Sequence, residues 1–204
     1  MPKAHYSMSF TTGGLFQQES ADLAQLYLET SSWPTVREQV VANNLLQSRT
    51  LSSSRRICNE VISRLKLLSQ AELSFLPSAA SRDQACLLWL ALCRRYKFIG
   101  EFATEILRER YTKLQPELTT DDFEAFFHSK SEWHTELQQL TASTHQKLRQ
   151  VLFKLMKDVG LLSNDNLIQT PIWNQDLVSI LKQSGSVSFQ FFPIFESDLE
   201  RFST

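Results

Sequence analysis

Apolar residues recur at helical spacing along most of this chain, and two stretches do so with the same polar face opposite. At 100° per residue, Ile57, Val61, Leu65 and Leu68 fall on one side of the segment 52–68. Ser52, Arg55, Arg56, Asn59, Ser63 and Lys66 fall on the other. Ninety-one residues later the pattern returns: Leu148, Leu152, Met156 and Val159 make the stripe, while Ser143, Gln146, Lys147, Gln150, Lys154 and Lys157 face away. Neither polar face carries an acid at its centre. Lys and Arg neutralise phosphates, and Asn, Gln and Ser reach base edges or sugars, so both stretches are candidate recognition helices, with Arg49 and Arg149 flanking. The plainer alternative is two amphipathic helices with ordinary basic surfaces and a shared period.

The same periodicity predicts further helices over 15–28 and from Pro34 to Asn43-Asn44, with Ser32 or Trp33 near the second cap. Three helices ending in a basic one is the layout of a helix-turn-helix unit. Residues 69–81 are small and polar and read as a linker. The expected division is therefore 1–72 as a helix-turn-helix-like unit and 82–204 as a helical core plus a winged-helix-like unit. In the second part, a long helix from Arg82 or Asp83 to Lys113, bent at Gly100, forms the core. Arg94, Arg95 and Lys97 near its middle either extend a basic face or snorkel to water. Thr119 or Thr120 caps a helix with Asp121, Asp122 and Glu124 in its first turn, and Gly160 ends the second basic helix. A small β-hairpin follows near 161–170, then a helix over 174–183. Residues 186–195 alternate as a possible C-terminal strand, whose phenylalanines either pack on the domain or meet a partner. The fold class is mainly α, a helical bundle.

Composition narrows the class. The 204 residues are 42% hydrophobic and 21% charged, with 5 glycines and 6 prolines, which suits a globular helical protein. A net charge of −1 argues mildly against a nucleic-acid binder, but the charge lies in blocks. Residues 49–68 and 143–157 each carry +4, 93–113 carry +3, 114–142 carry −5 and 158–204 carry −4. Cys58, Cys86 and Cys93 sit inside apolar patterns as small hydrophobes. The longest apolar run, Ala85–Cys93, is nine residues, against the roughly 20 a spanning helix needs. The start of the chain lacks an apolar signal-peptide core, so a cytoplasmic protein without membrane insertion is expected.

Catalytic patterns are missing. Gly13-Gly14 is followed by no lysine-threonine pair. No Ser or Cys stands in a nucleophile elbow. His128 and His134 are six apart and do not share a helical face for a metal. The expectation is a non-enzyme needing no cofactor.

Several segments, Tyr6–Phe16, Leu88–Phe98, Leu107–Tyr111 and Leu148–Lys154, together resemble the BrxA proteins of bacterial BREX phage-exclusion systems over nearly the full chain. The resemblance implies a small, mostly helical, non-enzymatic, DNA-binding component of an anti-phage system, with other BREX proteins as partners. Members labelled inner-membrane proteins stand against the hydropathy here, and others have been likened to a helical RNA-binding antitermination factor. Double-stranded DNA is thus the expected ligand: Arg55, Arg56, Lys66, Lys147, Lys154 and Lys157 on phosphates, with Ser52, Asn59, Gln146 and Gln150 nearest the bases. A protein-interaction adaptor and an RNA-binding bundle are the alternatives.

Overall fold

The computed structural model describes residues 5–195, 197 and 198. It is mainly helical, and its buried apolar side chains form one core cluster running from Tyr6 to Ile194. Helices α1 (Gln17–Thr30), α2 (Trp33–Ala42) and α3 (Leu51–Leu65) pack on one another. Ser32 caps α2, accepting from the Thr35 N–H, with Pro34 in the first turn where its missing N–H costs nothing. The connection from α2 to α3 covers residues 43–50, longer than the three or four residues of a tight helix-turn-helix.

The segment 69–81, expected as a linker, is packed structure. Ser69 and Glu72 form a capping box that starts α4 (Gln70–Phe75). Leu73 and Leu76, three apart, both face the core, and a 3₁₀ turn over Leu76–Ser78 leads on. Small polar composition concealed a helix start here.

Helix α5 (Ser81–Arg95) is buried all round between Ala85 and Cys93. The long helix expected to bend at Gly100 breaks instead at Tyr96, whose extended backbone (φ −114°, ψ 96°) separates α5 from α6 (Lys97–Phe102). Gly100 matters for a different reason: a Cβ there would stand 2.8 Å from the Cys93 carbonyl oxygen. A π-helical stretch (Ala103–Arg108) and α7 (Glu109–Thr112) continue the run. Helix α8 (Thr120–Ser131) starts with a Thr119–Asp122 capping box. A short α9 (Thr135–Gln138) precedes α10 (Ala142–Val159), which Gly160 ends at φ 83°.

After α10 the chain doubles back through 163–166, but only isolated antiparallel bridges form, Leu162 with Ile168 and Glu117 with Leu167. The Ser163 N–H donates to the Leu167 carbonyl at 2.9 Å and the Leu118 N–H to that of Asn166 at 2.9 Å. Leu161, Leu162 and Ile168 anchor this crossing in the core. Pro171 follows soon after and cannot donate to a ladder, so no longer strand grows.

Helix α11 (Gln175–Gln183) is capped by Asn174. The possible C-terminal strand is a 3₁₀ helix, Ser186–Phe191. Three residues per turn bring Phe189 and Phe192 to one edge, where both are buried. The packing alternative for the phenylalanines therefore holds at these two positions. The Trp89 indole N–H donates to the Phe191 carbonyl at 2.9 Å, pinning this segment to α5.

Candidate nucleic-acid interface

Thr50 caps α3 by accepting the Ser53 N–H at 3.1 Å. The helix then buries Cys58, Val61, Ile62 and Leu65 and turns Ser52, Arg55, Arg56, Asn59 and Lys66 to solvent. Arg49 is exposed just before the cap. Among the described residues, none of Arg49, Arg55, Arg56 and Lys66 has a carboxylate within ion-pair distance. Two further polar side chains of the helix are tied inward. Ser63 is half-buried and donates to the Glu60 carbonyl at 2.8 Å. Arg64 is buried, donating from Nε to Glu60 at 2.7 Å and from Nη1 to the Gly14 carbonyl at 2.8 Å. The +4 of the 49–68 block is thus carried outward by four cations, while Arg64 and Glu60 cancel inside.

Helix α10 presents a more occupied face. Thr141 caps it, and Leu148, Leu152, Met156 and Val159 are buried as the periodicity requires. Ser143, Gln146, Lys147 and Gln150 are exposed, with Ser143 near the Thr141 hydroxyl at 3.1 Å. Arg149 is held by Glu124 of α8, whose other oxygen faces His145 at 3.2 Å. Lys154 pairs with Asp158 at 2.9 Å and Lys157 donates to the Asn164 carbonyl at 3.0 Å. Exposed pairs of this kind are weak, and a polyanion can displace them, but α3 is the more open of the two helices.

Most cations of the third basic block fold into structural contacts. Arg94 grips the buried Glu72 with both terminal nitrogens, at 2.6 and 2.9 Å, and also donates to the Leu67 carbonyl and Ser188. Burial pushes the Glu72 carboxyl up, and Arg94 and the Ser69 N–H outweigh that, holding it below its ordinary value. Lys97 pairs with Glu101 at 3.3 Å and Arg110 with Asp122 at 2.7 Å. Arg95 lies over the Tyr96 ring.

The periodicity of α3 alone did not reveal Arg37. It stands on α2, exposed and without a carboxylate partner among the described residues, beside Arg55 and Asn59 of α3. Its sequence signal was its position next to Val36 and four before Val41, which turns it toward the neighbouring helix once Val36 and Val40 are buried.

Among the described residues no cluster of His, Cys, Asp and Glu has metal-binding form. No helix is long and apolar enough to cross a membrane. The three cysteines are free and buried, and burial raises each thiol, Cys86 to about 12.

A family model described as BrxA matches residues 4–185. A "BREX protein BrxA" of Bacillus cereus (strain H3081.97) is 24% identical over 153 residues, covering 74% of this chain and 76% of that protein. Another of the same name, from Escherichia coli O9:H4 (strain HS), is 23% identical over 184 residues, covering 83% and 86%. A crystal structure of an uncharacterized protein from Magnetospirillum magneticum superposes with a TM-score of 0.79 at 17% identity, over 94% of this chain and all of that one.

Proposed function

This chain belongs to the BrxA family of the BREX phage-defence system, and from that premise we propose that it is a non-enzymatic component that binds double-stranded DNA with weak sequence preference. The observation that carries the proposal is the outer face of α3. Arg55 and Arg56 on it, with Arg49 and Lys66 at its two ends, are exposed with no carboxylate of the described residues within ion-pair distance, and Ser52 and Asn59 are exposed on the same helix. Such a surface loses little when it meets a polyanion and gains by releasing counterions. On this reading Arg55, Arg56 and Lys66 take phosphates, with Ser52 and Asn59 nearest the bases.

Two recognition units, within 1–72 and 82–204, are part of the proposal. In the first, α2 and α3 serve as the helix-turn-helix pair. In the second, we take the bridge at Glu117, α8, α10 and the turn between Leu162 and Ile168 as the parts of a winged-helix-like unit, with the short α9 between its two helices. The pairing of Glu117 with Leu167 links the first and last of these parts. Lys147, Lys154 and Lys157 of α10 would contact phosphates, with Gln146 and Gln150 nearest the bases. Six phosphate contacts give a slope of about −5 in log affinity against log salt. The site of action is the cytoplasm, where duplex DNA lies in a bacterium, and other BREX proteins are the expected partners.

The test is a DNA-binding titration of the purified chain. Changing Arg55 and Arg56 together to Glu weakens binding at least about tenfold at low salt, with an unchanged circular-dichroism melt because both side chains are exposed. Wild-type affinity in the folded double variant would remove the first unit from the proposal. Duplex RNA competing as well as duplex DNA would favour an RNA ligand, since a helix suited to the B-form major groove does not enter the A-form one.

A further inference from the structure

Helices α2 and α3 leave an open cleft of about 680 Å³ between their outer faces. It is lined by Arg37, Glu38, Val41 and Ala42 of α2 and by Arg55 and Asn59 of α3. The spacing explains the lining. Residues 37, 38, 41 and 42 form one stripe of α2, and 55 and 59 lie one turn apart on α3. Val41 and Ala42 give the cleft an apolar strip, and Arg37 and Arg55 bring a cation from each helix. Three charged groups share the cleft, yet neither arginine has an ion-pair partner among the described residues, Glu38 included. Arg37 lies close enough to α3 to draw down the Cys58 thiol against the larger upward push of burial.

An apolar strip in the same cleft as two unpaired guanidinium groups does not match a lone phosphate, which has no use for Val41 and Ala42. The volume is also larger than one phosphate requires. The combination matches a stretch of nucleic-acid backbone, where anionic phosphates alternate with the largely hydrocarbon face of a deoxyribose. We infer that this cleft cradles the sugar–phosphate backbone of duplex DNA, with Arg37 and Arg55 on phosphates, Val41 and Ala42 against the intervening deoxyribose, and Asn59 reaching the adjacent groove edge. The inference rests on the DNA-binding reading above. It adds α2, and Arg37 in particular, to a site otherwise made by α3. It also gives Glu38 a role of opposite sign, because its carboxylate opposes the phosphates.

The experiment is fluorescence anisotropy of a short labelled duplex of random sequence with the full chain, over a salt series, for wild type, R37Q and E38Q. R37Q binds roughly five- to tenfold more weakly at low salt, and its salt slope is shallower by about 0.9, one phosphate contact. E38Q binds more tightly, by roughly threefold at low salt. Both side chains are exposed, and a circular-dichroism melt checks each fold. Were R37Q to misfold, the gain in E38Q would still decide the matter. Wild-type affinity and slope in folded R37Q, or unchanged binding in E38Q, overturns the cleft; the DNA reading then survives if the Arg55/Arg56 double variant is weakened. No binding by the wild type at low salt overturns both. Equal competition by duplex RNA also overturns the cleft, because a ribose brings its 2′-hydroxyl and A-form spacing to the apolar strip.

Discussion

The carboxylate of Glu136 accepts the Tyr6 backbone N–H at 2.7 Å and faces His134 Nδ1 at 2.9 Å, while the His134 and Tyr6 rings stack with centroids 4.0 Å apart. Burial raises the Glu136 carboxyl, but the Tyr6 N–H, its own N–H and His134 outweigh this and bring it down to about 2. Glu72 and Glu101 are held below their ordinary values too, burial being outweighed at Glu101 by Lys130 and Tyr6. A carboxyl depressed by folding stabilises the native state above its unfolded pKa and ceases to do so as the pH falls through the folded one. For Glu136 that window runs from 4.5 down to about 2. Melting temperature is therefore expected to fall with acid across this range, and less steeply in E136Q, which keeps an acceptor for Tyr6 but no titrating charge. Parallel acid curves for the two proteins would remove Glu136 from the account. None of this was legible in the sequence, because Tyr6 and Glu136 are 130 residues apart.

At the scale of elements, some caps were read directly. Gly160 and the Thr119 cap lie where local chemistry alone demands them, since a capping bond closes within four residues. The break between α5 and α6 was misplaced because it has a tertiary cause. Tyr96 is buried, and its hydroxyl donates to Glu60 of α3 at 2.5 Å. Gly100 then passes close over the last turn of α5, where no Cβ fits beside the Cys93 carbonyl. The substitution G100A should cost about 1–3 kcal/mol by overpacking, read as a lower urea midpoint at unchanged slope. An unaltered midpoint would show that the two backbones separate freely. The α3 face, by contrast, was legible except at Ser63, which is half-buried, because a 3.6-residue period states which side chains a helix must turn outward once its apolar stripe is buried.

For the molecule as a whole, the two halves are joined through their cores. Arg94 of α5 reaches Glu72 of α4 and Ser188 of the C-terminal 3₁₀ helix together. Phe192 and Ile194 belong to the same buried cluster as Tyr6 and Leu23. A shared core predicts coupled unfolding. F192A should lower stability by about 3–5 kcal/mol and shift the far-ultraviolet and tryptophan-fluorescence transitions by the same amount. Two separated transitions, with only one moved, would mean that the halves unfold independently. The segment 69–81 made this coupling hard to foresee, since its small polar residues carry no long apolar period and its helix is held by Ser69, Glu72 and Arg94.

The chain's own pattern determined its helical class, the positions of most helices and of some caps, and which side chains of α3 and α10 turn away from the core, because each of these follows from interactions spanning a few residues. Tertiary structure decided which of those polar groups stay unengaged. Glu124 reaches Arg149 across 25 residues, whereas no described carboxylate reaches Arg55. It also decided that Arg37 of α2 joins Arg55 in one cleft. Availability of charge depends on distance through space, and only the packed chain sets that distance.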